Sequence, residues 1–247
     1  MNKIIWVLLG ILLTTATSCE FSENIYIYEN GSGKMEFTFD ASEMMKMTGD
    51  ELAKESEEKV DSTFTFKELL EERKDSIPKL SKEQQEVLKG LENYSMHMLM
   101  DPSSKTMKFD LFTNFKDVDE LQDMFAAMTK MQAMGDEKGA GGNNKFSSLE
   151  QGTSELKYSY NGRKFTRKSK IINQELHQQM VDSLSEMAMV YESSTYKLNY
   201  HFPRPIKSVS NEAALFSDDR KTVTVEFGFM EYLKNPEALN LEVILEK

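Results

Sequence analysis

The residues with the clearest chemical potential are Met96-His97-Met98-Leu99-Met100, four soft or borderline donors in five positions. Thioethers suit Cu(I). In a strand, Met96, Met98 and Met100 project from one face and His97 from the other, because side chains alternate. Downstream, Met124, Met128 and Met131 recur at helical spacing. A strand stripe facing a helix stripe could form a thioether cluster. The same spacing is also how a helix packs on a sheet, and Met fills irregular cores. A Met-rich interior could equally hold a lipid or other apolar ligand. These six Met residues are the candidate ligand-binding set. No metal or cofactor is expected.

The remaining chemistry is sparse. His177 on a helix and His201 on a strand have no motif around them and read as solvated. The chain has no H-E-x-x-H, no G-x-S-x-G and no Walker loop. Gly31-Ser32-Gly33-Lys34 resembles a fragment of a phosphate loop but reads as a hairpin turn. Ser217-Asp218-Asp219 could attract calcium, yet it lacks the EF-hand pattern and reads as a turn. No catalytic residue is identified. A hydrolase would need a site assembled from scattered residues. The net charge of −11 repels phosphate backbones, so no nucleic-acid partner is expected.

One further residue stands apart. Cys19 is the chain's sole cysteine among 247 residues. Before it come Lys3, the apolar run Ile4 to Leu13, and the small residues Thr14 to Ser18. That order is the order of an export signal, too short to span a bilayer as a helix. Ala16-Thr17-Ser18-Cys19 resembles the lipobox of bacterial lipoproteins, in the form common among Bacteroidota, with Ala16 where Leu is usual. The resemblance covers about the first 20 residues. It implies cleavage between Ser18 and Cys19, transfer of a diacylglycerol to the Cys19 thiol, and residence on the outer membrane of a Gram-negative cell. Stable anchoring needs more than one acyl chain, which such a group provides.

The elements that must position these residues follow from alternation and turn chemistry. Residues 1–18 read as the removed signal, 19–24 as a lipidated tether, and 25–247 as one domain. Ile25 to Tyr28 and Met35 to Phe39 flank a Gly-rich turn and read as a hairpin, followed by a helix capped by Asp40. Tyr94 to Met100 and Thr106 to Phe112 repeat the pattern, with a helix after Asp117. Leu156 to Tyr160 and Lys164 to Ile171, joined by Asn161-Gly162, form a third hairpin. Asn173 caps its helix, expected to run to about Tyr191. A charged helical insert, Phe66 to Leu91, is split near Pro78. Residues 135–148 form a flexible Gly-rich loop. The C-terminal part reads mostly as strand.

The expected class is α+β: an antiparallel sheet of hairpin–helix units with helices packed on one face. Phe202 to Asn211 and Asp219 to Val225 resemble the C-terminal end of LppM-like lipoprotein domains, over roughly 25 residues. That resemblance implies a lipid-anchored domain at the envelope. The functional expectation is a non-catalytic envelope lipoprotein that binds an apolar ligand or a partner protein. An envelope hydrolase and a Met-rich copper-binding lipoprotein are the alternatives.

Overall fold

A computed structural model describes residues 19–48, 59–124, 153–183 and 191–247. The signal segment, Met128 and Met131, and the Gly-rich loop lie outside these residues. The described residues form two sheets packed face to face. The first has eight strands: β1 (Glu20–Ile27), β2 (Gly33–Asp40), β3 (Val60–Thr65), β4 (Ser95–Asp101), β5 (Thr106–Phe115), β8 (Thr195–His201), β10 (Leu215–Phe216) and β11 (Thr222–Gly228). Their spatial order is β10-β11-β8-β1-β2-β5-β4-β3. The second sheet has four strands: β6 (Ser154–Tyr160), β7 (Lys164–Ile171), β9 (Ile206–Val209) and β12 (Leu241–Leu245), in the order β6-β7-β12-β9.

The local signals act as their chemistry requires. Gly31 adopts φ +84° in the first hairpin turn and Gly162 φ +82° in the third, a region open to glycine because it lacks Cβ. The Asp40 carboxylate accepts the Ser42 N–H at 3.0 Å and opens α1 (Ser42–Thr48). Thr65 and Glu68 form a capping box that opens α2 (Phe66–Glu72). Pro78 lies in a short 3₁₀ turn between α2 and α3 (Lys82–Gly90), so the charged insert is indeed divided there. Asn173 accepts the Leu176 N–H at 3.1 Å before α4 (Gln174–Ser183). The short α5 (Phe229–Lys234) leads toward β12.

Four expectations change. Residues Glu20 to Asn24 are no tether but the first half of β1, because they pair with Asp40 to Glu36 on one side and Thr195 to Asn199 on the other. The β1–β8 pairing is parallel, so the large sheet is mixed. The three hairpins do not stack alike: two join the large sheet, while β6–β7 crosses to the small one. It is this second sheet, rather than a layer of helices, that meets the central strands of the first, with Tyr158 and Phe165 packing into the same core as Phe37 and Tyr200. The helix expected from Asp117 is instead one 3₁₀ turn, Val118–Glu120, followed by extended backbone at Leu121. Extension there lets Val118, Leu121 and Met124 all reach the core. β3 was not anticipated; its polar Asp61-Ser62-Thr63 suits an edge.

The core is aromatic. Phe21 stacks on Phe39 at 4.6 Å and on Phe229 at 4.1 Å, and Tyr196 meets Tyr232 at 4.7 Å. Gly33 has a packing role: an added Cβ would strike the Tyr26 carbonyl oxygen and the Phe115 ring.

Candidate functional site

The methionine stripe lies where alternation places it. Met96, Met98 and Met100 stand opposite Leu111, Phe109 and Met107 of β5, and opposite Phe64, Ser62 and Val60 of β3. All three are half-buried. Met124 is buried, and Met96 packs against the main core. Among the described residues, no group of three His, Cys, Asp or Glu could hold a metal ion.

His97 occupies the opposite face and bridges three strands. Its Nδ1 lies 3.2 Å from Asp110 Oδ2 on β5, and its Nε2 lies 3.1 Å from Asp61 Oδ1 on β3. Thr38 donates to the other Asp110 oxygen at 2.8 Å. Both ring nitrogens therefore face acceptors, and only the imidazolium has two N–H groups to give them. The hydrogen bonds to Asp61 and then Asp110 hold the His97 pKa above its ordinary value. This is an ion ladder that ties an edge strand to its sheet.

The other two histidines are not simply solvated. His177 is buried, at 4 % exposure, with Nε2 3.0 Å from the Lys234 carbonyl. His201 is half-buried, 2.9 Å from Thr222 Oγ1, and stacks on Tyr26 at 4.1 Å. Burial lowers its pKa. At Ser217-Asp218-Asp219, Asp219 accepts the Ser217 hydroxyl at 2.6 Å and the Lys221 N–H at 3.0 Å, the turn expected there.

Cys19 stands at the head of β1. Its carbonyl accepts the Thr195 N–H at 3.1 Å, and its side chain is 4 % exposed on the inner side of the sheet. Ser18, the other residue of the expected cleavage point, lies outside the described residues.

The strongest electrostatic feature was missed by sequence reasoning. Glu23 of β1 and Arg167 of β7 are each 1 % exposed and face one another across the two sheets, with Nε 3.5 Å from Oε1. Three phenols donate to the same carboxylate: Tyr158 at 2.8 Å, Tyr196 at 3.1 Å, and Tyr200. Arg167 Nη1 also donates to the Leu239 carbonyl at 3.4 Å. Burial opposes the guanidinium's charge, and the Glu23 carboxylate outweighs it, keeping Arg167 protonated. Burial first, then the Glu23 charge, pushes all three phenols well above their ordinary range. Such a centre has acids and bases, but closely packed aromatic rings separate it from solvent. Its chemistry is cohesion between sheets.

Two open grooves mark the surface. One, of about 550 Å³, runs beside Glu20, Asp40, Lys46, Lys105 and Lys108 at the Cys19 end of the large sheet. The other, about 560 Å³, lies between α2 and α3, with Leu70, Ile77 and Leu88 rimmed by Lys67, Glu71 and Lys89.

No protein-family description matches this chain, and no curated protein matches it. Among solved structures, the NMR structure of the folded domain of Mycobacterium tuberculosis LppM is similar over 92 % of this chain and 89 % of that one. The identity is 9 % and the TM-score 0.38, a likeness that carries no functional argument. Among the described residues, no helix is long and apolar enough to cross a membrane.

A signal for the buried pair did exist. Glu23 shares parity with Phe21, Ile25 and Ile27, and Arg167 with Phe165 and Ser169. Reading β1 back to Glu20 would have placed the acid on an inner face.

Proposed function

We propose that this chain is a non-catalytic, lipid-anchored protein of the cell envelope, held at the outer membrane through Cys19, and that it binds an apolar ligand or a partner protein there. One observation carries the reading: the export-type leader ends at the residue before the first strand. An export signal must be removable without cutting into the fold. Cleavage between Ser18 and Cys19 removes the apolar run and leaves β1 whole from Glu20. A cut a few residues later would take strand residues paired with both β2 and β8.

The non-catalytic reading rests on how the polar groups are used. His97, Asp61, Asp110, Asp219, Glu23 and Arg167 are all engaged with one another or with turns. The groove between α2 and α3 has an apolar floor and a charged rim, the composition that accepts an apolar group while orienting it.

The test is the intact mass of native protein extracted from membranes, beside a Cys19→Ala variant. The expected result is loss of residues 1–18 plus acyl mass on the native chain, absent in the variant. Organic extraction of the same sample then identifies any co-purifying lipid. An unmodified protein cut elsewhere would overturn the anchor.

A further inference from the structure

We propose that the Cys19 end of the large sheet lies flat against the bilayer, with Lys46 and Lys105 among the lipid headgroups. This rests on the anchor reading above and adds an orientation to it. Most anchored domains hang from a flexible tether whose span grows with the square root of its length. Here the segment outside the fold ends at Cys19, and the next residue is already in the sheet. The Cys19 carbonyl itself is bound to the Thr195 N–H. One residue spans less than about 4 Å, so the acyl group and the sheet end cannot separate.

Strand register identifies what must share that plane. Glu20 pairs with Asp40 and Thr195, Asp40 with Lys108, Lys108 with Leu99, and Leu99 with Asp61. This line crosses six strands at the anchored end once Thr195 is included. Beyond it project α1 with Lys46 and the Asp101–Thr106 turn with Lys105. Lys105 holds φ +52° and makes no ion pair among the described residues. The groove of about 550 Å³ opens between these two elements. Its ammonium groups suit lipid phosphates, in a chain whose overall charge is −11.

The opposite end carries the Tyr28–Ser32 turn and the exposed Asp117, Asp119 and Glu120. β1 is eight residues long, so the two ends are about 26 Å apart. The Cys19 side chain now points inward. Acylation therefore requires it to turn out past the sheet end, a movement confined to the terminal residue of the cleaved chain.

The experiment uses acylated protein in vesicles of phosphatidylethanolamine and phosphatidylglycerol doped with a spin-labelled lipid quencher. Acylation consumes the Cys19 thiol, so one introduced cysteine takes a fluorophore uniquely. Ser104→Cys reports the near end and Asn30→Cys the far end; both sites are exposed turns. Quenching several-fold stronger at residue 104 is expected. A Gly-Ser insertion of about ten residues after Cys19, spanning roughly 18 Å, should erase the difference. Equal quenching at both sites in protein of confirmed acyl mass would overturn the orientation while leaving the anchor standing. Absence of acyl mass would overturn the anchor and the orientation together.

Discussion

Glu23 on β1 and Arg167 on β7, 144 residues apart in sequence, meet with Nε 3.5 Å from Oε1 in a place neither shares with solvent. The pair joins two sheets that share no backbone ladder. Three tyrosine hydroxyls complete the carboxylate's shell. Removing one partner leaves the other charge buried and uncompensated. Glu23→Gln should destabilise the fold by about 3–5 kcal/mol, whereas the double change Glu23→Gln with Arg167→Met should recover much of that loss. Urea denaturation of the two singles and the double completes the cycle. Additive losses would show that the pair does not act as a unit.

The phenols should not contribute equally or independently. Tyr200→Phe and Tyr158→Phe each remove a donor to the same oxygen of a buried carboxylate. Each should cost about 1.5–3 kcal/mol, and the double less than the sum, because the remaining donors can tighten. Full additivity in equilibrium unfolding would contradict a shared shell.

His97 predicts a pH dependence with a definite sign. Asp61 and Asp110 raise its folded pKa above the unfolded value of about 6.5. Its contribution is therefore complete below about pH 6.5 and is lost as pH rises through the folded value. Amide exchange in β3, corrected for intrinsic rates, should accelerate across that window in the native protein and stay level in His97→Gln. A native profile with no step would refute the ladder's role.

Gly33 and Gly31 separate packing from conformation. At Gly33 a methyl meets backbone, so Gly33→Ala should cost on the order of 3 kcal/mol. At Gly31 there is open space and φ +84°, so Gly31→Ala should cost roughly 1–2 kcal/mol. Thermal unfolding ranks the two, and a reversed order would mean that the β1–β2 hairpin packs differently.

The buried Cys19 side chain makes a kinetic prediction for unacylated protein. Alkylation should be far slower than in denaturant and should track local opening of the β1 end. Alkylation in native buffer at the denatured rate would mean that the thiol is not seated in the core.

Short-range chemistry made much of this chain legible in advance. Alternation marked β2, β4, β7 and β8, Asn161-Gly162 marked a hairpin, and Asp40 and Asn173 marked helix starts, because each is a property of neighbours along the backbone. The leader and Cys19 are likewise a matter of order along the chain. Tertiary structure alone decided which strands became partners. The parallel union of β1 with β8, and the departure of β6–β7 to a second sheet, depend on contacts more than a hundred residues apart in sequence, to which local periodicity is blind. It also decided that Glu23 and Arg167 serve the interior. A charged residue reads as solvated until a counter-charge arrives from another sheet, and only folding brings the two within reach.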